Sequence, residues 1–438
     1  MVRQVARFLK IPLMVLVAII VLASGVGFLF GEQVLKTAIG KVAVAEFHAR
    51  VRSHRILERP GMTVILSGTG EPRLNKLRGQ PLTAVIANGE FLIFDAGVGA
   101  IRGLAVQGYP IPRISRVFIT HMHSDHMSGL GGVINASFVH GRRNVIEVHG
   151  PDASSNLSHT LYPPTSEEYR VGRMDTTGGV PDRRRVNELT RDDLVRGTRD
   201  PARPGRIFIP GIRSIVAALN TLHTPDAIIR TSNKQIPHGK RDWEYNFAVA
   251  RPIPDMTTTN SIDHGWGELL TVYTSPNGKL KVKAFLVDHY PCFPSYGYRV
   301  EYAGRVVVIS GDVESMLPHG EPARPSYWTK IAGEADVLVH EAHNFKLANW
   351  GLDAVHDQVP EERDLVAQVR GAKKHHTDVI DIAKTAAEAR VAKLVLTHIG
   401  IPTPNFVAEY LFMRGMSEHY DGEIILAHDG MELYLPPR

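Results

Sequence analysis

Three imidazoles and a carboxylate fall within six consecutive positions at the start of HMHSDHMSG, residues 121–129. His121 and His123, two apart, can point the same way from an extended or tightly turned segment that follows the apolar run Val117–Ile119, and so grip one ion. Asp125 and His126 then fall on the start of the next turn and face a second ion. Neutral imidazole with carboxylate suits zinc, with manganese or iron as alternatives, and ligands for two centres point to a bridged dinuclear site. A polar loop with surplus histidines is the plainer reading, and this order and spacing after a strand-like run disfavour it.

The motif resembles the HxHxDH signature of the metallo-β-lactamase fold, and the resemblance extends through most of the chain from Gly61 onward. LSGTGEP at 66–72 is similar to that family's first strand and glycine loop. FDAG at 94–97 is similar to the strand whose aspartate, here Asp95, braces the metal loop by hydrogen bonding. VDHYPC at 287–292 with YGYR at 296–299 resembles the segment that supplies the third histidine of the first metal in the tRNA 3′-processing branch, ribonuclease Z, and nominates His289. VVISGD at 307–312 ends in Asp312, which resembles the bridging carboxylate, and KLVLTHIG at 393–400 places His398 as the last ligand of the second metal.

The resemblance thus implies that His121, His123 and His289 hold one ion, that Asp125, His126 and His398 hold the other, and that Asp312 bridges them. Each downstream candidate follows an apolar, β-rich run, which is where α/β sheets present site residues. Taken singly, His289 or His398 reads as a surface or core histidine and Asp312 as a turn residue; together they complete two coordination shells. Two ions ~3.5–4 Å apart share a water, lower its pKa to near 7 and stabilise both oxygens of a displacement, which is hydrolytic machinery. Asp125 therefore counts as catalytic as well as ligating. VHEAHN at 339–344 resembles the HEA motif of the same branch and implies His340 as proton donor to the leaving oxygen. Glu341 would orient it, although neighbours on a strand point to opposite faces and a more distant carboxylate is the alternative. His376, in HHTD at 375–378, is similar to a histidine beside the site, before the helix leading to the last ligand strand.

Departures from that branch are equally informative. Ribonuclease Z enzymes carry a protruding tRNA-binding arm between the His289-like and Asp312-like positions, and here only YGYRVEYAGRVVVIS separates them. The enlarged region is instead an insertion at about 152–281, rich in Pro, Gly, Arg and Asp, including PDRRR at 181–185 and DPARPGR at 200–206. Within it a helix is expected around Ile212–Leu222 and strands near Asn246–Ala250 and Leu269–Tyr273. Long irregular insertions are commonly functional, so substrate choice is expected to reside there. His223, Trp243, His264 and Trp266 are pocket candidates, with ordinary loop packing the better reading of each. The interspersed acids favour a solvated surface over a phosphate-binding array of arginines.

Ile11 through Phe30 carries no charge and is long enough to cross ~30 Å of hydrocarbon as a helix. Arg3, Arg7 and Lys10 precede it, so residues 1–31 read as a signal anchor or signal segment, open to cleavage near Ala23-Ser24-Gly25. That places the hydrolase outside the cytoplasm, on a bacterial inner membrane facing the periplasm, or secreted after cleavage. Residues 32–60 read as a helical stalk with apolar residues near helical spacing, and 61–438 as the hydrolase domain. A net charge of +5 is small for 438 residues, and no basic-aromatic array indicates a specific nucleic-acid partner. The single cysteine, Cys292, forbids an internal disulfide and a cysteine-rich zinc site. EIILAHDGMELYLP at 423–436 reads as two short strands around a turn that His428 and Asp429 serve, similar to the closing strands of metallo-β-lactamase domains.

The expected fold is α/β: a four-layer αββα sandwich with the dinuclear site at one edge between two mixed sheets, preceded by an N-terminal transmembrane helix. The expected function is that of a metal-dependent hydrolase cleaving a phosphodiester or related ester by a metal-bridging hydroxide, with two Zn2+ and with Mn2+ or Fe2+ as alternatives. Hydrolysis of a carboxylic ester, lactone or sulfate ester is the second reading, since fold does not fix substrate. A non-catalytic binding module and an iron oxidoreductase are readings of other classes, the latter disfavoured because the chain lacks a flavodoxin domain.

Overall fold

The computed structural model describes residues 36–37, 39–41, 44, 55–73, 75–151, 211–231, 245–253, 267–289, 292, 294–314, 326–359, 366, 370–372, 375–400 and 405–438. It divides into two units, Met1–Arg55 and Ile56–Arg438. In the first, residues 36–37, 39–41 and 44 are helical, within the expected stalk. The span Ile11–Phe30 lies outside the described residues, as do PDRRR, DPARPGR, Trp243, His264 and Trp266. Among the described residues no helix is long and apolar enough to cross a membrane.

The second unit begins earlier than the motifs suggest: Ile56–Glu58 forms a short 3-10 turn whose Leu57 is buried in the domain core. Among the described residues fourteen strands follow: β1 (Met62–Gly68), β2 (Leu82–Ala87), β3 (Glu90–Phe94), β4 (Ile114–Phe118), β5 (Ile146–Pro151), β6 (Ala248–Ile253), β7 (Leu270–Thr274), β8 (Lys281–Val287), β9 (Ser295–Tyr302), β10 (Arg305–Ile309), β11 (Val337–Glu341), β12 (Lys393–Thr397), β13 (Glu423–Leu426) and β14 (Met431–Leu435). They build two seven-stranded sheets, ordered β14-β1-β2-β3-β4-β5-β6 and β13-β12-β11-β10-β9-β8-β7. Both are mixed: β1, β2 and β3 pair antiparallel while β3 to β6 run parallel, and β10 to β13 are parallel against antiparallel β7 to β10.

Alternation along each strand divides the apolar residues among three cores. Met62, Val64 and Leu66 face the second sheet, meeting Val282, Leu286, Val337 and Val339, whereas Ile65 points outward. The outer face of the first sheet is covered by α1 (Ala100–Val106), α3 (Leu130–Val139) and α4 (Ile212–Thr231), through Leu104, Val133, Ile134 and Val216. The outer face of the second is covered by α5 (Ser326–Ala332), α7 (Val379–Glu388) and α8 (Phe406–Met413), through Trp328, Ile331, Ile382 and Phe412. Two further helices, α2 (Ser124–Met127) and α6 (Phe345–Gln358), complete the described set. The domain is therefore the expected αββα sandwich. All three cores contribute to stability, since each fully buried Leu, Val or Ile is worth about 1.5–3 kcal/mol.

The insertion is partly structural. Its helix runs beyond the expected end, through Pro225 to Thr231, and its two described strands close opposite sheets: β6 edges the first and β7 the second. Asn220 of α4 pins β6, its Nδ2 donating to the Ala248 carbonyl and its Oδ1 accepting from the Ala248 N–H, each at 2.9 Å. The closing segment is not a hairpin. β13 joins β12 and β14 joins β1, so the turn between them passes from one sheet to the other. Asp429 fastens that turn to the first glycine loop, accepting from the Thr69 N–H at 2.9 Å and the Gly79 N–H at 2.5 Å.

Candidate metal centre

The motif 121–126 lies just past β4, where the backbone leaves the sheet and enters the one-turn helix α2. Ser124 to Met127 curl because the Ser128 N–H donates to Ser124 at 2.8 Å, which buries Asp125 and His126 together. The turn lies tightly on the loop after β3: the Ala96 N–H donates to the His126 carbonyl at 2.6 Å and the Gly129 N–H to the Ala96 carbonyl at 2.7 Å. A side chain at Gly97 would place its Cβ 2.5 Å from the Asp125 carbonyl oxygen, so only glycine permits that approach. Asp95 and His398 both adopt left-handed backbone, at φ 60° and 58°. Such conformations cost of order 1–3 kcal/mol for non-glycine residues and collect at functional sites.

Two clusters result. His121, His123, His289 and Asp312 each bring one ligand atom within 4.8 Å of the others, and so do Asp125, His126, Asp312 and His398. Asp312 belongs to both: its Oδ2 lies 3.2 Å from His126 Nε2, 3.3 Å from His398 Nε2, and 3.8 Å from both His121 Nε2 and His289 Nε2. Asp125 Oδ2 stands 3.2 Å from His126 Nε2 and from His398 Nε2. These residues come from both sheets, the motif from the end of β4 and the others from the ends of β8, β10 and β12.

Hydrogen bonds on the far side of each ring fix which nitrogen faces the cluster. His126 donates from Nδ1 to Asp95 Oδ2 at 2.8 Å, and His289 from Nδ1 to the His375 carbonyl at 2.7 Å. His121 Nδ1 lies 3.0 Å from Thr120 Oγ1, whose own hydroxyl is 2.9 Å from Asp95 Oδ2. The Nε2 atoms of His121 and His126 are fully buried with no hydrogen-bond partner. Fully buried nitrogens left without partners beside ionised carboxylates are a good fit for divalent cations and a poor fit for an apolar core. Asp95 thus accepts hydrogen bonds from both His126 and Thr120.

The electrostatics fit the same donor set. Burial, reinforced by neighbouring imidazoles, holds His121 well below the ordinary histidine value, and burial holds His289 down to about 3. His126 and His398 are buried as deeply, yet Asp312 and the other nearby carboxylates push His126 well up and His398 up to about 9. Asp125 and Asp312 are also buried, but the surrounding histidines hold both below the usual carboxylate range. The carboxylates require positive charge between them, and divalent ions supply it while releasing protons.

His340 and Glu341 take the reverse of their expected places. β11 alternates, so Val337, Val339 and Glu341 face the space between the sheets, while Leu338 and His340 face the helices. The His340 ring lies 5.2 Å from the Trp328 ring, and its Nδ1 donates to the Glu341 carbonyl at 2.6 Å. It is a core histidine, and the proton donor expected there is misplaced. Glu341 lines the cleft with Asp95, His126, Asp312 and His398. Its partner is His376, whose Nδ1 lies 3.3 Å from Glu341 Oε1 and 3.9 Å from Asp312 Oδ2. Glu341 raises the His376 pKa against the effect of burial. His223 packs against Gly131 of α3, away from the clusters. Sequence reading passed over His343, whose ring stacks on His376 with centroids 4.3 Å apart; only its place two residues after Glu341 marked it.

Residues 78–230 match the family model of the metallo-beta-lactamase superfamily. That match covers the motif, while His289, Asp312 and His398 lie beyond it. Similarity to ribonucleases Z is more extensive: the chain is 24% identical over 379 residues to that of Methanosarcina mazei, covering 86% of this chain and 99% of the relative. It is 25% identical over 380 residues to that of Myxococcus xanthus, covering 86% and 98%. The crystal structure of human tRNase Z, short form, aligns at 20% identity and TM-score 0.43, over 85% of this chain and 99% of that one.

Proposed function

We propose that this protein is a dizinc hydrolase that cleaves a phosphodiester. The observation that carries the reading is one carboxylate oxygen, Asp312 Oδ2, held within 3.8 Å of four imidazole nitrogens from both sheets, with the Glu341–His376 pair at its edge. His121, His123 and His289 would hold one ion, Asp125, His126 and His398 the other, and Asp312 both. Ions bound there supply an acidified water and Lewis acidity toward the ester oxygens.

The remaining work falls to the protein. Asp95 and Thr120 keep His121 and His126 in the tautomer that presents Nε2. Glu341 Oε1 accepts from the Thr377 N–H at 3.0 Å and the Val313 N–H at 3.3 Å, which fixes the carboxylate against His376. With Nδ1 turned to Glu341, His376 gives its proton to the departing oxygen from Nε2, and Glu341 favours the protonated form against the effect of burial. Ribonuclease Z, the name shared by the relatives, makes an RNA phosphodiester the first macromolecular substrate to test. We also propose that Ile11–Phe30 anchors the chain in a membrane with this domain on the extracytoplasmic side, to be tested by fractionation and protease accessibility.

Metal content of the purified chain, paired with turnover of bis-nitrophenyl phosphate against nitrophenyl acetate, tests the function. Two zinc ions and cleavage of the phosphodiester are expected. Two ions with cleavage of the carboxylic ester alone would replace the substrate class, and no bound metal would leave a binding module.

A further inference from the structure

Beside the two clusters stands a third group of metal-type donors, Glu341, His343, His376 and His398, each bringing one ligand atom within 4.8 Å of the others. His343 has no part in the hydrolytic reading. Its backbone is fixed just past β11, its N–H donating to the Thr377 carbonyl at 3.1 Å and its carbonyl accepting from the Val379 N–H at 2.9 Å. The ring is thereby clamped between Phe345 and His376, stacked on both with centroids 5.6 and 4.3 Å away.

His343 Nε2 lies 3.8 Å from Glu341 Oε2. Both atoms are buried and neither has a hydrogen-bond partner, although Glu341 Oε1 is satisfied by two backbone N–H groups. That separation is too long for a hydrogen bond. Two ligands ~2.0–2.1 Å from a tetrahedral zinc stand roughly 3.3 Å apart, so small rotations of these side chains bring both onto one ion. His376 Nδ1, 3.3 Å from the other oxygen of the same carboxylate, is also without a hydrogen-bond partner.

We propose that Glu341, His343 and His376 form a third zinc site, weaker than the first two, that borders on or shares His398, and that filling it inhibits the hydrolase. The inference rests on the reading of Glu341 and His376 as the proton-donating pair. A zinc ion there takes the lone pair of His376 and the charge of Glu341, so neither can serve a leaving group. The site is weaker because it has one carboxylate where the second cluster has two, and because any share of His398 is contested. Free zinc in excess of the two resident ions is then an inhibitor acting at the donor pair.

The test is zinc titration of the full chain by equilibrium dialysis, with bis-nitrophenyl phosphate turnover followed in the same samples, for the natural sequence and for His343→Asn. The natural chain is expected to bind two ions tightly and a third more weakly, losing activity as the third binds. His343→Asn should keep its turnover at two equivalents of zinc while its third equivalent weakens by at least about 10- to 100-fold, the loss that even a partner outside the ligand set causes. His343→Gln repeats the test if the circular dichroism of the asparagine variant differs from that of the natural chain. A natural chain that stops at two ions in excess zinc, or a variant that binds and responds to the third unchanged, overturns the proposal. Fewer than two bound ions would instead sink the hydrolase reading, and the third site with it.

Discussion

At the scale of single residues, the site depends on which face of a strand a side chain occupies. His376→Ala is expected to slow phosphodiesters with poor leaving groups by about 10²- to 10⁴-fold, the usual worth of a general acid, and to spare activated nitrophenyl esters. His340→Ala should leave turnover nearly unchanged and lower the unfolding temperature instead, because it empties space beside Trp328 in the helix-facing core. Steady-state kinetics and thermal melts on the two variants separate these outcomes, and equal kinetic loss in both would return His340 to the chemistry. Asp95→Asn should cost about 10- to 100-fold in zinc affinity, read by competition with a chromophoric chelator, since it weakens the brace on His126 without removing a ligand. The Glu341–His376 contact was not legible in the sequence for a specific reason. Every residue of β11 is buried, so VLVHE carries no alternation of polarity to show whether 340 or 341 faces the site. Contiguous spacing exposed the ligands at 121–126, whereas the Glu341–His376 contact joins residues on separate elements and leaves no local trace.

At the scale of elements, the metal loop is set by close backbone approach more than by side-chain packing. Gly97→Ala would drive a Cβ to 2.4 Å from the Gln80 carbonyl carbon and 2.5 Å from the Asp125 carbonyl oxygen, so α2 must move and carry Asp125 with it. The expected result is a loss of stability on the order of 1–3 kcal/mol in urea unfolding, with second-ion affinity falling more than first. β5 supplies a pH dependence of its own. Burial holds His149, stacked 4.7 Å from Phe118, down to about 4. Its neutral form favours the fold fully above the unfolded value near 6.5; as pH falls toward 4 the unfolded chain takes a proton that the folded chain refuses, and stability is lost. Between pH 7 and pH 5 this amounts to about 2 kcal/mol, and His149→Gln should flatten the slope by that amount. β10, β12 and β13 were readable from apolar runs that end in turn residues, and β1 and β3 from their resemblance to family strands. That β6 and β7 would close different sheets was not, because pairing partners lie outside any local window.

At the scale of the whole molecule, the candidate ligands come from both sheets, so bound ions would clamp the two halves of the sandwich together. Chelation is expected to lower the melting temperature by several degrees, since ligand present at a thousand times its dissociation constant stabilises by about 4 kcal/mol. Calorimetry with and without chelator checks this, and an unchanged melt would mean that the sheets close equally well without metal. The four-layer order was legible because the motifs recur in sequence at strand ends; the tie that holds the layers shut was less so. β14 pairs with β1, Met62 opposite Leu435, while β13 extends the other sheet, so one short turn finishes both. The edge of β1 and the edge of β12 therefore stay open in assembly until residues 423–435 dock, and open strand edges invite association between chains. Refolding yield should fall with protein concentration for this reason, and a peptide of that closing segment, added in excess, should compete for the same two edges.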